Sequence, residues 1–411
     1  MRIALISEHA SPLAMIGGVD SGGQNVHVAE LAAGLVRLGH DVVVYTRRDS
    51  ADLGQRVKTG AGYDVVHVPA GPPRPLAKDD LWAHMPEFAQ QLWHRLEVDV
   101  PDLLHAHFWM SAWAAMEVAR PLQLPVMVTF HALGSVKRRH QGAADTSPLE
   151  RIATEALIGC SCDHIIATCR DEVAELARLG VPGDRTSVVP CGVDVEHFTP
   201  IPPRDVEWDL PRGAQFRLVS AGRLVPRKGV ASVVEAMSQL PDVELVIAGG
   251  DGPADAASNS ERERLDDLAR QHGVADRVRF VGKMSRGEMA ALLRSADVVV
   301  CTPWYEPFGI VPLEAMACGI PVVGSAVGGL LDSVADGRTG ILVPPRDSPA
   351  IGRAVRTLLD SPERRTAFGR AGRERALAHY TWDRVAASTA EIYSQVIRAR
   401  PESRAETATL Q

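Results

Sequence analysis

A chain of 411 residues exceeds what one hydrophobic core organises, so two domains of roughly 200 residues each are expected. Its net charge of −7 lacks the basic footprint that holds phosphate backbones, and no nucleic-acid partner is expected. RIALIS is too short for a signal segment, and no later run approaches the ~18 apolar residues of a membrane span, so a cytoplasmic protein with no transmembrane segment is expected.

RIALIS reads as the first strand, and NVHVAELAAGLVRLG as a helix with apolar residues at helical spacing. DVVVYTRR follows as a second strand, giving a crossover unit and a parallel sheet. YDVVHVPA, PDLLHAHFW, PVMVTFHA, DHIIATC and TSVVPCG continue the series, mostly with helical segments between them. Ligands of such sheets lie beyond the carboxyl ends of the strands. The first such loop holds GGVDSGGQN, where Gly22 and Gly23 allow close backbone approach and Asn25 lies near a helix N-cap. His105, His107 and His131 fall at strand ends, with His140 in the loop beyond. No acidic or cysteine partner accompanies them, so no metal site is expected. VKRRHQGAADTSP reads as a basic loop (Lys137, Arg138, Arg139, His140) before a helix, either solvated or steering an acidic acceptor. The six cysteines are scattered and lack paired zinc spacings; buried, reduced thiols are expected.

HFTPIPPRDVEWDLPRG, residues 197–213, is proline-rich without a helical stripe and is read as the linker. A second strand series follows: FRLVSAGRL, VELVIAGGDGP, RVRFVGKMS, ADVVVCTP, PVVGSAV and GILVPP. GRLVPRKG puts Arg223 and Lys228 on a glycine-bounded loop at a strand's carboxyl end, a place suited to phosphate. In TPWYEPFGIVPLEAMACGIPVVG a strand end passes into a loop with Glu306 and a helix read as opening at Pro312. The N–H groups of Gly309, Ile310 and Val311 then lie at a helix N-terminus, which favours an anion such as a diphosphate. Glu314 is read as a first-turn acid.

This last stretch, EPFGIVPLEAMACGIPVV, closely resembles the Glu-x7-Glu signature of retaining glycosyltransferases of the GT-B fold. The family includes sucrose-phosphate synthase and the MshA-type inositol-phosphate N-acetylglucosaminyltransferases. The resemblance implies an α/β fold of two Rossmann-like domains facing each other across a cleft. The first would span residues 1–197 and the second 198–380, with a C-terminal helix of about residues 381–398 packing back on the first and a frayed tail at 401–411. It also implies roles. Glu306 would bind sugar hydroxyls, Glu314 the nucleotide ribose, and Gly309, Ile310 and Val311 sugar and phosphate through the backbone. Arg223 and Lys228 match the family's Arg-x4-Lys pair, which neutralises the leaving diphosphate without a metal, and His131 in TFHALG matches a histidine near the donor sugar. Gly22 and Gly23 would touch the donor diphosphate, with Asn25 on the acceptor side. The loop of Gly249 to Gly252 would join the nucleotide pocket, and Val281 to Met284 would lie beside the base. Lys78 matches a lysine that binds acceptor phosphate, and Arg138 and Arg151 would assist it. Two positions depart from the inositol-phosphate branch: Phe108 replaces its tyrosine and Ala132 its threonine.

The expected activity is transfer of a glucose- or N-acetylglucosamine-type hexosyl group, with retention, from a nucleotide diphosphate sugar to a hydroxyl of a small polar acceptor. UDP is the expected nucleotide and no cofactor or metal is expected. A homodimer is compatible with the sequence. The alternatives are a GDP-mannose-dependent mannosyltransferase, a glycoside hydrolase using Glu306 and Glu314, and a non-catalytic nucleotide-sugar sensor.

Overall fold

A computed structural model describes residues 1–14, 22–201, 210–250 and 256–400. The sheet of the first half holds β1 (Arg2–Ile6), β2 (Asp41–Arg47), β3 (Arg56–Lys58), β4 (Asp64–Val68), β5 (Leu103–His107), β6 (Val126–Thr129), β7 (His164–Ala167) and β8 (Thr186–Val188). Its order is β3-β4-β2-β1-β5-β6-β7-β8. That of the second half holds β9 (Phe216–Ala221), β10 (Val243–Ala248), β11 (Val278–Gly282), β12 (Val298–Cys301), β13 (Val322–Ser325) and β14 (Gly340–Val343), in the order β11-β10-β9-β12-β13-β14. Helices cover both faces of each sheet, so strands such as β5 and β10 are buried along their whole length, including His105, His107 and Glu244. Every expected strand is present. The sequence reading missed β3, a short edge strand that pairs antiparallel with β4.

In both sheets the strand order reverses at one point, between β1 and β5 and between β9 and β12. There the loops diverge and open a crevice at the carboxyl ends. The loops after β9 and β12 carry Arg223, Lys228 and Glu306, so topology alone brings together residues some 80 positions apart.

The helix Trp382–Ala399 completes the core of the first sheet: Trp382, Val385, Ala386 and Tyr393 pack with Ile3, Leu5, Val28 and Leu31. Gly34 permits the contact, since a Cβ there would lie 2.6 Å from that of Ala386. Across the linker, Phe198 is buried in the second half's core, and Arg373 Nη1 donates to the carbonyls of Val195, Phe198 and Ala317. Cys160 is exposed, contrary to expectation. The tail 401–411 and part of the linker, 202–209, lie outside the described residues.

Candidate active site

The turn after β9 closes at Gly229 (φ +72°), where a Cβ would fall 1.9 Å from the carbonyl oxygen of Thr302. This approach, with a hydrogen bond from Trp304 N–H to Arg227 O (2.8 Å), locks the β9 loop to the β12 loop. Lys228 Nζ accordingly meets the Glu306 carboxylate in an ion pair. Arg223 is exposed on the same loop, and a small pocket lined by Ser220, Gly222, Arg223, Lys228 and Cys301 lies at the strand ends. Burial would raise the Glu306 pKa, yet Lys228, Arg227 and the Gly309 N–H together hold it below the usual carboxylate range. After β10, Gly249 and Gly250 adopt positive φ, and Gly249 N–H donates to Gly282 O (2.8 Å), beside half-buried Met284. Asp251 and Gly252 lie outside the described residues.

The helix following Glu306 runs Ile310–Ala317, with Gly309 as N-cap at φ +73°. It begins two residues before the expected Pro312. Proline is tolerated within the first turn because the first bond of the ladder is Leu313 N–H to Gly309 O (3.3 Å). One expectation is corrected: Glu314 lies beyond the first turn, which holds no acid. Burial pushes the Glu314 carboxyl up to about 8, against a smaller lowering by Arg286. The sequence reading also missed Gly328 and Gly329. Cβ atoms there would meet the carbonyls of Glu306 (2.2 Å) and Pro307 (2.6 Å), and Gly329 N–H binds Glu306 O (2.8 Å).

The first half meets this loop directly. Gly22 caps the helix Gly23–Arg37, its N–H bound by Asn25 Oδ1 (2.9 Å), while Asn25 Nδ2 donates to Ser11 O (2.9 Å). Asn25 is thus buried and occupied in holding the glycine turn. Gly23 lies against Ile310 and Phe308, a Cβ there coming within 3.1 Å of Ile310 Cδ1. Phe308 packs on His131 and His27, with ring centroids 5.1 and 6.2 Å away. His131 sits at φ +62° and its Nε2 is 2.9 Å from His107 Nδ1. His27, missed in the sequence because it sits inside a regular helical pattern, shares this buried cluster. Burial lowers the pKa of His27, His105, His107 and His131, which are therefore neutral imidazoles. No His, Cys, Asp and Glu grouping able to hold a metal occurs among the described residues.

The expected acceptor side is cationic. Lys78 Nζ and Arg151 Cζ lie 5.1 and 5.0 Å from the Phe108 ring centroid, and Phe108 adopts φ +86°. Burial pulls the Lys78 pKa down to about 8, helped by Arg151, Lys137 and Arg223. Arg151 is nearly sealed: it pairs with Glu155 (2.8 Å) and donates to Ser147 Oγ (3.2 Å) and Ala132 O (2.7 Å). Arg138 is largely exposed, 3.7 Å from Asp145. The segment Gly134–Gln141 is a helix and not the expected loop; only Gly134 and Val136 are buried, too few for a periodic signal. His140 on it stacks on Tyr305 of the Glu306 loop (5.7 Å).

Residues 21–197 match the family model for glycosyltransferase family 4, and 208–375 that for glycosyl transferases group 1. The chain is 36% identical over 409 residues to D-inositol 3-phosphate glycosyltransferase 2 of Catenulispora acidiphila, covering 96% of this chain and 95% of that one. It is likewise 36% identical to D-inositol 3-phosphate glycosyltransferase of Xylanimonas cellulosilytica, covering 97% and 98%. Among solved structures, sucrose-phosphate synthase of Thermosynechococcus elongatus superposes with TM-score 0.89 at 32% identity, covering 97% of this chain and all of that one. HepE of Anabaena, in complex with UDP and glucose, superposes with TM-score 0.73 at 19% identity over 96% of this chain and 99% of that one, a likeness of fold.

Proposed function

Because the chain belongs to the group 1 glycosyltransferases and has their GT-B fold, we propose that it transfers a glucose- or N-acetylglucosamine-type hexosyl group with retention. The donor is a nucleotide diphosphate sugar, UDP-linked in this reading, and the acceptor a hydroxyl of a small sugar, sugar phosphate or cyclitol. One observation carries the proposal. The loops after β9 and β12, which carry Arg223, Lys228 and the helix N-terminus at Ile310 and Val311, meet at the Lys228–Glu306 pair, and Gly23 lies against Ile310. Departure of the nucleotide builds negative charge on the diphosphate, which these groups stabilise most once the cleft excludes water. The acceptor hydroxyl attacks from the leaving-group face and gives its proton to a diphosphate oxygen. Glu306, ionised and paired with Lys228, is suited to accept hydrogen bonds from sugar hydroxyls and ill suited to be the proton donor of a hydrolase.

The test is a transfer assay with UDP-, GDP- and ADP-sugars, the product's anomeric configuration being read by NMR. An inverted product sinks the retaining mechanism. Thermal shift with the diphosphates ranks the nucleotides, a tenfold preference near saturation giving about 1.4 kcal/mol. A clear GDP preference favours the mannosyltransferase reading, and binding without turnover favours a sensor. Since Arg223 and Lys228 supply the charge that a divalent ion otherwise would, activity should persist in excess chelator; complete loss restored by one divalent metal refutes this.

For the acceptor, Lys78 and its cationic neighbours favour an anionic or strongly polar molecule, whereas Phe108 and Ala132 lack the hydroxyls of an inositol-phosphate site. D-Inositol 3-phosphate is therefore expected to be used at least about tenfold less efficiently than the best sugar or cyclitol of a matched panel. With an anionic acceptor, KM should rise as pH passes about 8, because Lys78 loses the charge that binding requires. Efficient glycosylation of D-inositol 3-phosphate, abolished in Lys78→Ala, would show the Phe108 and Ala132 argument to be wrong.

A further inference from the structure

One helix of the first half, Arg170–Arg178, is met at its N-terminus by the second half. There the Asp332 carboxylate accepts the Arg170 backbone N–H at Oδ2 (2.7 Å) and the Arg170 Nε–H at Oδ1 (2.6 Å). The first turn of a helix carries N–H groups without intrahelical partners and a partial positive charge. Cys169 Sγ takes the N–H of Glu172 (3.4 Å), and Asp332 takes that of Arg170. Just before the helix, Thr168 Oγ lies 3.4 Å from the carbonyl oxygen of Pro307, while Tyr305 packs against the first half's core and stacks on His140. The residues on either side of Glu306 therefore touch the first half, and Asp332 grips the helix beside them.

Asp332 is also tied to the Glu306 loop. It belongs to the short helix Leu330–Ser333, which starts directly after Gly329, whose N–H binds Glu306 O. Its own carbonyl accepts from Arg375 Nη2 (2.7 Å) and Tyr380 Oη (2.9 Å), and Arg375 Nε donates to Ser333 O (2.9 Å). The backbone of Asp332 is thus fixed within the second half, and its side chain crosses to the first. The two arms of the crossing are unequal. The Asp332 side chain is 17% exposed and that of Arg170 79%, so solvent and salt screen the guanidinium arm, whereas the N–H arm sets a sheltered carboxylate on a helix N-terminus.

We infer that Asp332 is a positioning residue: by capping the helix Arg170–Arg178 from the opposite half, it sets the arrangement of the two halves and with it the place of Glu306 against the first. The kinetic consequence rests on the glycosyltransferase reading; the contact does not. A closed arrangement that is only partly populated weakens apparent affinity in proportion to its fraction. The clasp therefore acts on an acceptor that needs both halves, and much less on a nucleotide held mainly by the second.

The test compares the full chain with Asp332→Ala, Asp332→Asn and Arg170→Glu by transfer kinetics, UDP calorimetry and small-angle X-ray scattering. Asp332→Ala should lower kcat/KM for the best acceptor of the panel about tenfold or more, keep the UDP dissociation constant within about threefold, and enlarge the radius of gyration of the unliganded chain. Asp332→Asn keeps an oxygen for the Arg170 N–H and should stay within about threefold of wild type in kcat/KM. Arg170→Glu sets a carboxylate against Asp332 and should act like Asp332→Ala, yet change kcat/KM less than about twofold in the Asp332→Ala background. Equal scattering by wild type and Asp332→Ala overturns the inference. So does an unchanged acceptor kcat/KM, an asparagine variant as impaired as the alanine variant, or additive losses at the two positions. Should Asp332→Ala not fold, Arg170→Glu, at an exposed position, still decides by scattering and kinetics. Absence of transfer from every donor by the wild-type chain would instead refute the proposed function, and scattering would then decide the clasp.

Discussion

Lys228→Ala is expected to lower turnover by on the order of a hundredfold or more while changing donor KM only a few-fold. The cation stands at the carboxyl end of β9, on a loop clamped to the β12 loop by the Gly229–Thr302 approach, so its position is set before substrate arrives. Preorganised charge of this kind acts on the diphosphate as it leaves and less on the intact donor. A second effect accompanies the first. Lys228 is the nearest counter-charge of Glu306, and its removal leaves a buried carboxylate with Arg227 and the Gly309 N–H alone. Burial then raises the Glu306 pKa, and residual kcat at saturating donor should fall as pH decreases through the mildly acidic range, where the wild-type kcat stays level. Lys228→Arg should recover part of the rate by restoring charge without the compact ammonium geometry. Loss of donor affinity at normal kcat would show that Lys228 acts in ground-state binding only.

What was legible beforehand follows from how each signal arises. Strands buried on both faces leave mostly apolar runs, so β1 and β12 were plain, as were β5 and β10 despite their internal His and Glu, and the loops after them could be ranked for function by topology. The Glu306 stretch was legible because loop, cap and helix chemistry coincide there. The exact helix start was not: Pro312 suggests N1, but the positive φ at Gly309 lets the helix begin earlier. The helix Gly134–Gln141 was hidden because it buries little, and edge strand β3 because it is three residues long. Residues that matter through partners distant in sequence leave no local trace. Gly328 and Gly329 support the Glu306 loop by close approach, and His27 joins the cluster under Phe308, yet each reads locally as a turn glycine or a helix-face residue. Arg151 is the converse: a basic residue near an expected anion site whose hydrogen bonds go to Glu155 and the Ala132 carbonyl.

Nucleotide diphosphate affinity should rise by up to about tenfold per pH unit from pH 6 to about 8 and then level off, a total near a hundredfold. The titrating group is Glu314. Burial pushes its carboxyl from 4.5 up to about 8, and the guanidinium of Arg286 offsets only part of this, since Arg286 also faces Glu30 (3.3 Å) and Asp194 (3.1 Å). The proposed ribose contact needs a carboxylate that accepts hydrogen bonds from two hydroxyls, so the free chain must release a proton to bind below pH 8. The sign for folding is opposite to that of a paired carboxylate. With its folded pKa above the unfolded one, Glu314 costs no stability below about 4.5 and progressively more as pH rises to about 8. Glu314→Gln should therefore raise the melting temperature of the unliganded chain at pH 8 while weakening nucleotide binding there. It should also flatten the pH dependence of binding, apart from the nucleotide's own terminal phosphate ionisation near pH ~6. Calorimetry of UDP binding at pH 7 in buffers of different ionisation enthalpy counts the protons directly. Release of close to one proton by the wild type and none by Glu314→Gln is the expected result; equal release by both would place the titrating group elsewhere and remove Glu314 from the ribose site.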